Sequence, residues 1–242
     1  MATPALMRSM LLIVLVACTS RPGAGDARPN EVTLLAGDSA VNGSVLPIRD
    51  DTVRNAFVSK GTERSEGWVF ERTVAALVSG SPALFRVVVG EMDQQVDTIL
   101  VDRRTLRPVW HRWHSPRSSG EVEYLGTRVR VRVAPTDSVP RAFEAQTPVP
   151  AFDGETIGLV RAALPFREGY TARIPVYDWH SGFQWRTATV AGRTTMKNRD
   201  AWKVVSVTTS GDRIEVFVDT ETRATLFAHI LLRSGDEVRM TR

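Results

Sequence analysis

FRVVVGEMDQQVDTILVDRRTLRPVW, residues 85–110, is matched 117 residues later by WKVVSVTTSGDRIEVFVDTETRATLF, residues 202–227. At that offset, with no gap, Phe85 falls on Trp202, Val87 on Val204, Asp102 on Asp219, Thr105 on Thr222 and Trp110 on Phe227; extended backwards, Trp68 falls on Trp185. Each copy is a set of short apolar runs rich in β-branched residues. The runs are broken first at Gly90–Gln94 or Ser210–Asp212 and again at Asp-x-x-Thr. Runs of this length between turn-forming residues read as strands, so each copy predicts three strands and two turns, used twice. An aspartate that opens such a turn accepts hydrogen bonds from backbone N–H groups just after it. Asp102 and Asp219 therefore read as turn formers, not as a catalytic carboxylate pair.

The same pattern extends in both directions. Upstream, Thr52–Ser59 and Trp68–Val78 are strand candidates around a polar turn at Lys60–Gly67, with Gly80, Ser81 and Pro82 ending the second. Downstream, a turn at Pro116–Gly120 leads to Glu121–Leu125 and then to Arg128–Val133, where arginine and valine alternate and put the two chemistries on opposite faces. Residues 134–151 hold Pro135, Pro140, Pro148 and Pro150 and read as a long connection. Asp153 opens the one good helix candidate, whose apolar stripe is Ile157, Leu159, Val160, Ala163 and Leu164 before Pro165 stops it. Strands resume at Tyr170–Tyr177 and Phe183–Val190, and the chain closes on a hairpin at Gly235–Asp236. The expected fold is mainly β: a strongly curved antiparallel sheet or incomplete barrel built from two similar meander halves, with one short helix packed on it. Residues 31–242 are expected to form a single antiparallel domain, with halves at about 44–133 and 170–242 linked by 134–169.

The first thirty residues are different in kind. Leu6–Ala17 is an apolar run interrupted by Arg8 and Ser9, too short to span a bilayer comfortably and placed as a secretory signal is. It ends in Leu15-Val16-Ala17-Cys18, which resembles the bacterial lipobox, and Cys18 is the only cysteine in the chain. The reading is a lipoprotein signal peptide over 1–17, a lipidated Cys18 and a flexible tether over 18–30. Acyl chains on Cys18 would anchor the protein at roughly 0.8 kcal/mol per buried CH₂. The lipobox resemblance implies the bacterial cell envelope, and Thr19 in place of an aspartate implies the outer membrane, facing the periplasm. With one cysteine, no disulfide can form within the chain.

Composition excludes more than it selects. A net charge of +4 and 24% charged residues suit an ordinary globular chain. Nucleic-acid binding is not expected, because the basic residues do not accompany exposed aromatics in a recognisable module. His111 and His114 are three apart on a predicted strand and so face opposite ways, a poor start for a metal site; no metal and no cofactor is expected. A serine nucleophile elbow, a phosphate loop and a dinucleotide fingerprint are absent from the sequence. Asp178 and His180 share a strand face and are the best location for an alternative reading as an envelope hydrolase.

The aromatic residues carry the main functional reading. Trp68, Phe85, Trp110, Phe183, Trp185, Trp202 and Phe227 all lie on or beside strands, and part of the set can line an apolar space for a lipid-like ligand. The stretches VDTILVDRRTLRPVW (96–110) and IEVFVDTETRATLF (214–227), each preceded by an apolar strand, resemble those of uncharacterised bacterial envelope proteins related to the lipoprotein carriers LolA and LolB. The resemblance covers about residues 70–240. It implies a curved antiparallel sheet wrapped around helices, holding acyl chains between the two. The chain departs from that pattern in its proline-rich centre, its two similar halves and its few helices. The expectation is a membrane-anchored, non-catalytic envelope lipoprotein that binds a hydrophobic or lipid-like ligand or an envelope protein partner.

Overall fold

The computed structural model describes residues 31–242. The expected signal peptide (1–17), Cys18 and the tether (18–30) lie outside the described residues. A short strand, β1 (Glu31–Thr33), comes first. A long meander follows: β2 (Arg49–Ser59), β3 (Thr62–Val78), β4 (Ser81–Gly90), β5 (Val96–Asp102), β6 (Pro108–His114), β7 (Ser118–Leu125), β8 (Arg128–Pro135) and β9 (Arg141–Gln146). The crossing to the second half holds β10 (Phe152–Asp153), a 3-10 turn at Gly154–Thr156 and α1 (Ile157–Ala162). The second meander is β11 (Thr171–Asp178), β12 (Gly182–Met196), β13 (Arg199–Thr208), β14 (Arg213–Asp219), β15 (Thr225–Leu231) and β16 (Glu237–Thr241).

All of these strands belong to one 16-stranded sheet in the order β1-β11-β12-β13-β14-β15-β16-β2-β3-β4-β5-β6-β7-β8-β9, with β10 also paired to β11. The two meanders join where the last strand, β16, pairs antiparallel with β2. The mainly β fold with one short helix is as expected from the sequence. The strongly curved sheet or incomplete barrel is not: the hydrogen-bonded path is open, and its two ends, β1 and β9, pair with β11 and β8 and not with each other. Pattern along strands dictates which residues share a face, but closure and curl depend on how distant strands meet, which alternation does not encode. β9 is also a strand that the proline count in 134–151 hid; it lies at the sheet's edge, where Arg141 and Glu144 are exposed and discourage further pairing.

The repeat is real over β5–β6 and β14–β15, down to its irregularities. The offset of 117 carries the register shift at Leu100/Val101 onto that at Phe217/Val218. It carries the positive φ of Leu106 (54°) onto that of Arg223 (57°). Asp102 Oδ1 accepts hydrogen bonds from the Thr105 N–H (2.7 Å), the Thr105 hydroxyl (2.7 Å) and the Arg104 N–H (3.1 Å). Asp219 Oδ1 repeats the set with Thr222 (2.7 and 2.8 Å) and the Glu221 N–H (3.1 Å). The turn holds a left-handed Leu106 or Arg223 in place against its steric cost. Asp102→Ala and Asp219→Ala should each cost about 1–3 kcal/mol, read as a lower urea midpoint with an unchanged slope.

The gapless alignment fails one strand earlier. Ala83 lies opposite Asp102 and Ala201 opposite Asp219, so β4 matches β13 at an offset of 118. The β4–β5 connection is one residue longer than the β13–β14 connection. A slip of one residue moves every side chain to the other face. Phe85 is therefore equivalent to Lys203, not to Trp202, and Trp202 is equivalent to the buried Leu84.

The two turns also have different neighbours. The first receives the N-terminal segment: the Gly43 N–H donates to the Arg104 carbonyl at 2.7 Å, with Leu34, Val41 and Leu46 buried nearby. A Cβ on Gly43 would stand 2.3 Å from the Arg103 carbonyl oxygen, so only glycine fits there. The second turn holds the helical segment, since the Arg223 guanidinium donates to the carbonyls of Ala162 (3.1 Å), the last residue of α1, and Leu164 (3.2 Å), just after it. At the other end Asp153 caps as its position in the sequence suggests, accepting from the Glu155 N–H at 2.8 Å. Helix and sheet bury a common apolar cluster that includes Leu84, Ile99, Phe152, Val160, Ile174 and Val204. A second cluster, around Trp113, Val122, Val131 and Tyr177, lies toward β8.

Candidate functional site

Beside α1 the chain leaves a cavity of about 400 Å³ open. Strands from both meanders and α1 line it: Val53 and Asn55 from β2, Glu71 and Thr73 from β3, Arg86 and Val88 from β4, Arg186 from β12, Val216 from β14 and Ile230 from β15, with Ile157, Leu159 and Arg161 from α1. Val88, Leu159, Ile230 and Met240 pack against the main apolar cluster and form its greasy wall. The volume is within the range of about 300–1,000 Å³ usual for small-molecule pockets.

The rest of the lining is charged, and most of it is internally paired. Arg49 and Asp51 meet at 2.5 Å, and Arg242 joins the same carboxylate. Arg86, buried on β4, reaches Glu71 at 2.8 Å and donates to the Glu155 carbonyl oxygen at 2.5 Å, tying the sheet to the start of the helical segment. Glu155 also lines the cavity, and although its residue surface is exposed, its carboxyl is surrounded by protein atoms. Burial, helped by the charges of Asp97 and Asp153, pushes its carboxyl up to about 7.

Close enough to Glu155 for their charges to act on it, Asp97, His111 and Asp153 form a buried polar chain. His111, 3% exposed, lies between two carboxylates: Nε2 is 2.9 Å from Asp97 and Nδ1 is 3.1 Å from Asp153. Gln95 donates to both oxygens of Asp97 (3.0 and 2.9 Å), and the Tyr124 hydroxyl donates to Asp153 at 2.5 Å. Burial works against a charged imidazole here, but Asp153 and Asp97 overcome it and raise His111 to about 10. Burial and the same Asp153 raise the Tyr124 phenol well above its ordinary value. The ring is thus an imidazolium clamped from both sides. The carboxylates sit on opposite nitrogens and do not converge on one point, and among the described residues no group of three or more His, Cys, Asp or Glu is arranged to hold a metal ion.

Among the described residues, three arginines of the lining have no carboxylate partner; Arg223 donates instead to the Ala162 and Leu164 carbonyls, and the other two make no side-chain hydrogen bond. Arg161 on α1, 7% exposed, and Arg186 on β12 both line the cavity, and the Nε of each is buried without a hydrogen-bond partner among the described residues. Burial, and then the charge of Arg186, lowers Arg161 to about 9.

The seven aromatics singled out from sequence are not gathered into one space. Trp68 (44% exposed) and Phe85 stand on the face of β3 and β4 away from the cavity, because Val69, Glu71, Arg86 and Val88 are the residues that line it. Phe85 meets Trp110 edge-on at 6.0 Å, and Arg112 covers the Trp110 ring. Phe183 and Trp185 do meet, at 5.5 Å, with Arg173 over Trp185 at 4.2 Å. Trp202 packs on Phe166 at 5.6 Å against the core. Phe227 lies beside Phe217 and is the member of the set found at the cavity. Asp178, the carboxylate of the hydrolase alternative, spends Oδ1 on its own turn, accepting from the His180 N–H (2.9 Å), the Ser181 N–H (2.9 Å) and the Ser181 hydroxyl (3.1 Å). The arginines of β8 meet carboxylates: Arg130 meets Glu123 and Glu144, and Arg132 meets Glu121.

Sequence reading missed His111, whose two partners come from β5 and from the far crossing. It also missed Arg161. A signal existed for the second: Arg161 stands next to Val160 in an otherwise apolar helical segment, where a charge has nowhere to go but inward.

Fold and site together define a single-sheet β protein with a charged and apolar cavity against its one helical segment. The chain belongs to the family described as "Protein of unknown function (DUF3108)", whose family model matches residues 48–238. No curated protein matches it. Among solved structures, a "Beta-barrel-like Protein of Domain of Unknown Function DUF1849" from Brucella abortus is similar with a TM-score of 0.51 at 10% identity, over 81% of this chain and 96% of that one. At that identity the likeness is one of fold, and neither description refers to lipoprotein carriers.

Proposed function

We propose that this chain is a non-catalytic envelope lipoprotein, anchored to the outer membrane through lipid on Cys18, which holds a hydrophobic or lipid-like ligand in the cavity beside α1. The cavity itself carries the reading. It is large enough for a small molecule, and one wall is formed by Val88, Leu159, Ile230 and Met240. The candidate catalytic groups nearby are committed elsewhere: His111 is held on both nitrogens and Asp178 closes a turn. The apolar wall takes over the role first assigned to the seven aromatics. An envelope protein partner on the same anchored domain would be the acceptor or donor of such a ligand.

Two measurements test the anchor and the ligand separately. Cys18→Ser should abolish fatty-acid labelling and release the protein from membranes; labelling and retention unchanged from wild type would overturn the anchor. Native mass spectrometry of the full chain extracted from its own membranes should show a bound adduct of small-molecule mass. Val88→Trp, which fills the cavity from its apolar wall, should remove that adduct while the protein stays folded. A clean ligand-free mass from wild type would overturn the binding function.

A further inference from the structure

We infer that the ligand carries an anionic head, a carboxylate or phosphate monoester, and that Arg161 and Arg186 are the residues that hold it. The inference rests on the cavity being a ligand site and adds the chemistry of what enters it. A guanidinium is never neutral at physiological pH, and taking it out of water without a counter-charge is costly. Folded proteins pair such groups, and this one does so elsewhere in the same cavity, at Arg49, Arg86 and Arg242. Arg161 and Arg186 have no carboxylate within ion-pair distance among the described residues and each leaves a buried Nε without a partner; Arg86 shares the unpartnered Nε but is paired through its other nitrogens.

The nearby acids act on this seat only at a distance. The charges of Asp178, Glu155 and Asp212 reach Arg186 but none ion-pairs with it, since Asp178 caps its turn and Asp212 accepts from the Ser210 hydroxyl (2.7 Å) and the Arg233 N–H (3.0 Å); among the described residues, no carboxylate offsets the burial of Arg161. Glu155 shares the cavity, but burial and then Asp97 and Asp153 raise its carboxyl to about 7, so it is only partly ionised near neutral pH, and it forms no ion pair with either arginine. Two guanidiniums without an ion pair, one from α1 and one from β12, line the same cavity close enough for the charge of Arg186 to act on Arg161, and form a positive seat there. Their planar donors suit a carboxylate or phosphate. The apolar residues of the cavity, Ile157, Leu159, Val216, Ile230 and Met240 among them, would take the tail of the same molecule.

The test uses the full chain in phosphatidylcholine nanodiscs, with octanoate, octyl phosphate, octanol and inorganic phosphate as probes, each titrated while intrinsic tryptophan fluorescence and thermal unfolding are followed. Octanoate and octyl phosphate should bind at least tenfold more tightly than octanol. In Arg161→Gln/Arg186→Gln that preference should vanish while octanol binding is unchanged. Inorganic phosphate alone should bind at least tenfold more weakly than octyl phosphate. Equal affinity for octanol and octanoate in wild type, or a double variant that keeps the preference, overturns the anionic head and leaves the apolar site standing. Inorganic phosphate binding as tightly as octyl phosphate overturns the amphiphile and with it the lipid-like ligand, as does no binding by any probe.

A second variant separates binding from structure. Arg161→Met keeps an unbranched apolar stem and removes the guanidinium and its charge, so it should raise the unliganded unfolding temperature by several degrees, as expected when a binding site stores an unfavourable charge. A fall of similar size would mark Arg161 as a structural residue and overturn its role.

Discussion

Replacing His111 by alanine should destabilise the fold by roughly 3–5 kcal/mol, the usual cost of breaking a buried ion pair from one side. His111 is clamped between Asp97 and Asp153 at 2.9 and 3.1 Å, and its loss leaves two carboxylates facing a dry gap. Gln95 and Tyr124 remain to donate to them, but neither carries charge. The same clamp dictates a pH dependence. Folding raises His111 from 6.5 to about 10, so the folded state binds its proton more tightly than the unfolded chain. That stability is fully present below pH 6.5 and is lost as pH rises through about 10. Glu155 acts in the same direction one step earlier: raised from 4.5 to about 7, it favours the folded state most below pH 4.5, and that advantage is gone above 7. Thermal unfolding should therefore occur at a lower temperature at pH 9 than at pH 5.5. In His111→Gln the part of the decline above pH 7 should disappear. A flat profile for wild type from pH 5.5 to 9 would show that the imidazole is not held as a cation.

Gly120→Ala should cost about 2–3 kcal/mol, an overpacking penalty, although the change adds one methyl group. From sequence, Gly120 reads as the end of a turn. In the fold it lies inside β7, opposite Trp113, and the indole lies against its bare Cα. A Cβ there would stand 2.2 Å from Trp113 Cζ2 and 2.5 Å from the Arg132 carbonyl oxygen, and the second of these is backbone. Trp113 is 3% exposed and stacks on Trp179 at 4.1 Å, so it has little room to retreat. Near-ultraviolet circular dichroism should lose intensity from the stacked indoles as the unfolding temperature falls. Ser119→Ala, on the same strand, should change stability by less than about 0.5 kcal/mol. Equal effects from the two variants would exclude close packing of Trp113 on Gly120.

The sequence by itself determined what depends on neighbours a few residues apart. An aspartate three residues before a threonine builds the same turn at Asp102 and at Asp219, with the same three acceptor contacts and the same left-handed residue after it, because every group involved lies within five positions. Alternation sorted the valines of β8 inward and its arginines outward, because side chains in a strand alternate with period two. Asp153 announced the start of the helical segment for the same local reason. Only the tertiary structure decided the rest. A hairpin one residue longer in the first copy turned Phe85 outward and left Trp202 inward, undoing an alignment that looked gapless. Open ends at β1 and β9 replaced the expected curled sheet. The clamp on His111 and the unpaired charges of Arg161 and Arg186 arise between residues far apart in the chain, brought together by pairing across the whole sheet. Burial then gives those charges a strength that their positions in the sequence could not reveal.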